Sequence, residues 1–284
     1  MEDDQAGDES SYSISPLVTP GEIALSDSEK VEAPADNLEA RFQSVKDPSV
    51  PAVTETVDVA LRSYILSPTS DPQLTTPDEV HEAIRSLKIS KAPGPNSILN
   101  RALKHLPKRA FSLLAHILNA VLRTHHFFQT WKHARVISIL KTGKDPALPS
   151  SYLPISLLDT IDKLFEKVLL VRILHVVNER GLLRDEQFRF RPRHSTSLQM
   201  ARLVERITTN FVEKRLTGAV FLDVAKAFDT VGIDGLLYNL TLANFPSYIA
   251  HTISFYLRDR TFEASFQTTT SSRRGMRVGV ARGG

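Results

Sequence analysis

The sequence contains no cysteine. That excludes a disulfide scaffold, an iron–sulfur centre and a thiol nucleophile. It also lacks any uncharged apolar run near the ~18–20 residues that cross a bilayer, so no membrane partner is expected. The opening MEDDQAGDES is acidic and polar, unlike a secretory signal. An intracellular protein is expected. Positive charge is scarce in the first part of the chain. Residues 1–80 hold 4 Lys+Arg against 17 Asp+Glu, a charge of −13; the whole chain carries +3, so residues 81–284 carry +16. A region that basic suits a polyanionic partner. Hydrophobic residues make up 42% of the 284, enough for a core in one large domain or two small ones.

Residues 1–35 are rich in Ser, Asp, Glu and Pro without a sustained period, and read as disordered or linker-like. Helices are expected around Leu38–Phe42 and Val53–Tyr64. Order is plainest from TTPDEVHEAIRSLK. Thr76 is an N-cap, Pro77 fits the first helical position, and Glu79 completes a capping box. Val80, Ala83, Ile84 and Leu87 then share one face. KAPGPN (91–96) breaks the helix. A second amphipathic helix is predicted over 108–126, a strand over 134–141, and a turn over 142–145. A long helix should run from a cap at Asp159 to Arg180, ended by Gly181. Further helices are expected across 196–213 and 234–257, and TFEASFQ (261–267) alternates as a strand does.

AVFLDVAKAFDTV (219–231) raises the functional question. Ala219–Leu222 reads as a strand buried on both faces, ending in Asp223. Either the chain simply surfaces there, or Asp223 is a metal-binding carboxylate at the mouth of a sheet.

Five stretches, in this order, resemble the reverse transcriptase of jockey-type non-LTR retrotransposons. They are KAPGPN, WKHARVISILKTGKDPALPSSYLPISLLDTIDKLFEK, DEQFRFRPRHSTSLQ, LTGAVFLDVAKAFDTV and RRGMRVGVARGG, and they cover about residues 75–284. The resemblance implies an α+β, right-hand polymerase fold with helical fingers and the start of an antiparallel palm sheet. Residues 1–74 would be a linker with weak helices, 75–215 fingers, and 216–284 the beginning of a palm cut off inside the domain. The implied activity is Mg²⁺-dependent transfer from a dNTP to a primer 3′-hydroxyl, copying an RNA template onto a DNA primer in the nucleus and cytoplasm. Two Mg²⁺ ions serve such chemistry. Asp223 and the carbonyl of Val224 would offer hard oxygen ligands. Phe228 would stack under the sugar and exclude a 2′-hydroxyl. Lys141 would reach the triphosphate. Arg191, Arg193 and His194 would contact the template, with Asp229, Gly279 and Gly283 in support.

Four positions depart from the family pattern. Leu153 stands where an arginine would clamp the triphosphate, Arg189 replaces a glycine, Gly232 a tryptophan and Arg282 a glutamine. No Ala-Asp-Asp turn occurs in the sequence. The expectation is therefore a truncated, inactive copy. A non-catalytic nucleic-acid-binding remnant, resting on the +16, is the alternative.

Overall fold

The computed structural model describes residues 17–19, 22–24, 26–43, 51–65, 68–148, 151–224, 227–266 and 269–280. β1 (Leu17–Thr19) and β2 (Glu22–Ala24) pair antiparallel. Ser26 and Glu29 close a capping box that starts α1 (Asp27–Arg41). The helix expected near Leu38–Phe42 thus begins eleven residues earlier, inside the stretch read as linker-like. Propensity understates it, because it is held by packing: Val31 and Ala35 meet Ala264, and Leu38 and Phe42 enter the sheet's core. α2 (Pro51–Ile65) is where the periodicity puts it.

α3 (Pro77–Arg85) carries the expected capping box. The Glu79 N–H donates to Thr76 Oγ1 at 3.2 Å, and the Thr76 N–H to Glu79 Oε2 at 2.9 Å. KAPGPN then turns the chain. Gly94 lies so close to the next helix start that a Cβ there would be 2.4 Å from Leu158 C and 2.5 Å from Asp159 N. α4 (Asn100–Lys104) and α5 (Lys108–Thr124) follow.

β3 (His133–Leu140) and β4 (Tyr152–Leu157) pair antiparallel, with Ile137 opposite Ile155. Pro154 is tolerated because β4 is an edge strand. Asp159 sits at the N-cap of α6 (Thr160–Glu179), but its Oδ1 accepts from the Asn96 N–H at 3.0 Å rather than from its own helix. It thereby stitches KAPGPN to α6. Gly181, at φ +59, ends the helix in the left-handed conformation that glycine tolerates.

α7 (Thr196–Val212) is capped by Ser195 and buries no residue. The pattern at 234–257 divides into α8 (Ile233–Leu242) and α9 (Ser247–Leu257), separated at Asn244 (φ +54) and Pro246. β5 (Arg260–Phe266), β6 (Thr269–Thr270) and β7 (Arg274–Met276) follow.

The sheet runs β4-β3-β5-β6, with β7 also on β5. β3 and β5 are parallel, with His133 opposite Thr261, and the other pairs are antiparallel. It is therefore mixed, and the expected antiparallel sheet is corrected. A parallel partner requires a long crossover, which α6 to α9 provide. One apolar core joins α2, α3, α5, α6, α8 and α9 through Val80, Ile84, Leu118, Phe165 and Ile249. A second, beneath α1, holds Val136, Leu158, Phe262 and Met276.

The strand expected at 219–223 does not form. Residues 215–224 have no regular structure, and Val220, Phe221 and Leu222 are 84–89% exposed. A strand exists only by pairing, and no described strand lies beside it.

Two buried polar clusters cross the core. Arg260 and Asp162 are nearly inaccessible and 3.6 Å apart, with the Arg260 guanidinium over the Tyr256 ring. His125, at φ +53, contacts Thr252 Oγ1 at 3.1 Å and faces His251, which stacks on Tyr64 of α2. Burial, and secondarily His251, hold the His125 imidazole below its ordinary range.

Two outcomes follow from this packing. Gly94→Ala should cost roughly 1–3 kcal/mol in urea denaturation, because the neighbouring atoms are backbone and cannot step aside. An unfolded histidine protonates near pH ~6.5, whereas folded His125 resists, so its contribution is lost as pH falls through that range. Between pH 7.5 and 5.5 the wild type should therefore lose more stability than His125→Gln; equal losses would contradict the placement.

Candidate active site

Three segments meet where the sequence motifs predict chemistry. The first is the loop from Arg184 to Ser195. Phe190 (φ +60) and Arg193 (φ +61) both adopt left-handed backbone, which is uncommon for non-glycine residues. The Arg191 Nη1 donates to the Arg184 carbonyl at 3.1 Å, and Nη2 lies 3.9 Å from Asp185. His194 Nδ1 donates to the Pro192 carbonyl at 2.9 Å, and its ring meets Phe188 edge-on at 4.9 Å. Arg193 is exposed. The loop thus presents a basic surface stiffened from within.

The second segment is the turn at 227–230. Phe228 is 40% exposed, and its ring meets Phe190 at 5.9 Å with planes 86° apart. Asp229 is buried. The third is 277–280. The Gly279 N–H donates to the Val231 carbonyl at 2.8 Å, and the Val280 N–H to the Phe228 carbonyl at 2.9 Å. Gly279 has φ +87, and a Cβ there would stand 2.7 Å from the Asp229 carbonyl oxygen. Only glycine suits both that backbone and that approach.

The structure therefore brings Arg191, His194, Phe228, Asp229 and Gly279 into one neighbourhood through Phe190. Sequence reasoning missed Phe188 and Phe190. Their signal is the aromatic–basic alternation of FRFR, with the Arg189 guanidinium 5.4 Å from the Phe190 ring and that of Arg202 5.1 Å from Phe188.

Asp223 and Val224 lie in the exposed 215–224 segment. Lys141 follows β3, with its N–H donating to the Ser151 carbonyl at 3.0 Å. Gly283 and Arg282 fall outside the described residues. Of the departures, Leu153 is 39% exposed on β4, opposite Ile139. Arg189 does not occupy positive φ, whereas its neighbours Phe190 and Arg193 do. Gly232 opens onto free space, so a missing large side chain leaves no buried hole.

Asp223 is the sole acidic residue of 215–224. Among the described residues, no group of three His, Asp or Glu side chains could hold a metal. The donors among the described residues do not by themselves make a magnesium site. Nor is any described helix long and apolar enough to cross a membrane.

By its fold the chain is a mixed α+β domain in which a basic loop abuts an aromatic turn. The family described as reverse transcriptase (RNA-dependent DNA polymerase) matches residues 139–284, and the chain belongs to it. It is 38% identical over 263 residues to a probable RNA-directed DNA polymerase from transposon BS of Drosophila melanogaster, covering 93% of this chain and 29% of that protein. It is 34% identical to the X-element counterpart (94% and 29%) and 35% identical to the RNA-directed DNA polymerase from mobile element jockey (90% and 28%), both of Drosophila melanogaster. The resemblance to jockey-like non-LTR elements is thus shown. The chain spans under a third of the length of these relatives.

Gly279→Ala should destabilise by roughly 1–3 kcal/mol, from positive-φ strain plus overlap with the Asp229 carbonyl. Gly232→Ala, with no atom within 4 Å of the new Cβ, should be close to neutral. Paired thermal melts check both.

Proposed function

We propose that this chain is the template- and nucleotide-gripping part of an RNA-directed DNA polymerase from a jockey-like non-LTR retrotransposon. The Phe190–Phe228 contact supports it best, because it joins the loop assigned to the template to the turn assigned to the incoming nucleotide. In this reading Arg191, Arg193 and His194 hold template phosphates, which positions the strand without reading its sequence. Phe228 underlies the sugar and rejects a 2′-hydroxyl by steric overlap. Lys141 serves the triphosphate as a flexible point charge. Asp229 and Gly279 keep the turn's backbone in place, with Gly283 beyond them in the same motif. RNA template, DNA primer and dNTP are the partners.

When bound, divalent metal would supply charge neutralisation at the reacting phosphate. Asp223 and the Val224 carbonyl would give only part of its coordination. The 284 residues alone should therefore not extend a primer, and Leu153 offers no donor where the family pattern has arginine.

The alternative, a nucleic-acid-binding remnant without catalysis, is favoured by the exposure of 219–224. Primer extension on an RNA template tests the expected inactivity. Incorporation by the purified chain that disappears in Asp223→Ala would overturn the expected inactivity. Binding to an RNA–DNA primer–template should weaken steeply with salt. Arg191→Ala and Arg193→Ala should each lower the slope of log K against log[salt] by about one. Salt-independent binding would remove both readings.

A further inference from the structure

Arg274 lies in SSRRGMRVG, a basic run that reads as one more phosphate contact. The structure engages it otherwise. Its guanidinium reaches Glu32 at 2.6 Å and Asp36 at 2.7 Å, and pairs with Glu39 as well. These three carboxylates fall at i, i+4 and i+7 on α1, so they project from one face. The hydrogen bonds to Glu39 and Glu32 hold the Arg274 guanidinium protonated more firmly than usual. Glu32 also accepts from the Ser272 N–H at 2.6 Å.

α1 does not stop at this clamp. At its C-terminus the Phe42 carbonyl accepts from both the Arg277 and Val278 N–H groups at 3.1 Å. The Phe42 ring packs edge-on against Phe262 at 5.5 Å. Leu38, Phe42, Asp229 and Val280 line one narrow gap. The next two residues, Gly279 and Val280, make the hydrogen bonds to the Phe228–Val231 turn. An unbroken series of contacts therefore runs from α1 through 277–280 to Phe228. The family match begins only at residue 139.

We infer that α1 is a positioning element of the nucleotide side of the site. Arg274 and the Phe42 carbonyl fix 277–280, and that segment fixes the Phe228 turn. Arg274 is spent on this and does not bind phosphate. The nucleotide role of the turn rests on the polymerase reading; the mechanical link does not.

Hydrogen exchange on the whole chain tests the link without nucleotide or template. Arg274→Ala should speed exchange at the amides of 277–280 about tenfold, with α5 and α6 unchanged. Arg274→Lys should restore most of the protection. Glu39→Gln, a milder change, should shift the same amides in the same direction. Unchanged exchange at 277–280, or an even rise across α5 and α6, would overturn the inference. Primer–template binding gives the second readout. Arg274→Ala should leave the salt slope as in wild type, whereas a fall of about one unit would make Arg274 a phosphate contact after all. If the wild type binds no primer–template, the polymerase reading falls and the nucleotide role with it, while the exchange result stands.

Discussion

The parallel pairing of β3 with β5 is the constraint on which the rest depends. It joins His133 to Thr261 across nearly half the chain. Everything between must leave the sheet and return, so α6, α8 and α9 are obliged to pack as a layer. The pairing also sets Arg260, at the start of β5, against Asp162 near the start of α6. Each charge is nearly inaccessible, and the loss of either would strand the other in an apolar surround. The same strand carries β7 and with it residues 277–280. The geometry around Phe228 is thus inherited from a strand pairing far from it in sequence.

Much of this was legible in the residues. Thr76 with Glu79, Gly181 after a long apolar helix, and the alternation of TFEASF each state a local rule that the fold obeys. The parts that were not legible share a cause. Ala219–Leu222 has the composition of a buried strand, yet composition cannot supply a neighbour to pair with. The upstream helix was read too short because Glu and Asp dominate it; their partner, Arg274, lies over two hundred residues away. The mixed sheet was hidden because β3 and β5 each read as strands, but no local pattern states that they pair parallel to one another.

The site was legible as motifs but not as contacts. Arg191, His194, Phe228 and Gly279 are expected by resemblance. Phe190, whose ring meets Phe228, is not among them. Its backbone is left-handed where a glycine would be comfortable, and the neighbouring Arg189 takes no part in that conformation. Charge follows the same division. The acidic upstream segment is not merely a solvated tail, since its carboxylates meet the one arginine of the basic run that holds the turn.

Residues 215–224 bear on how the molecule behaves in company. Backbone donors and acceptors there have no ladder partner among the described strands, and Leu216, Val220, Phe221 and Leu222 stand almost fully in water. α7 also exposes Met200, Val204, Ile207 and Phe211 at helical spacing. Such a segment is a template for any extended chain that meets it, including another copy of itself. Colloidal behaviour would then depend on concentration, since the exposed segment meets another copy more often as chains crowd.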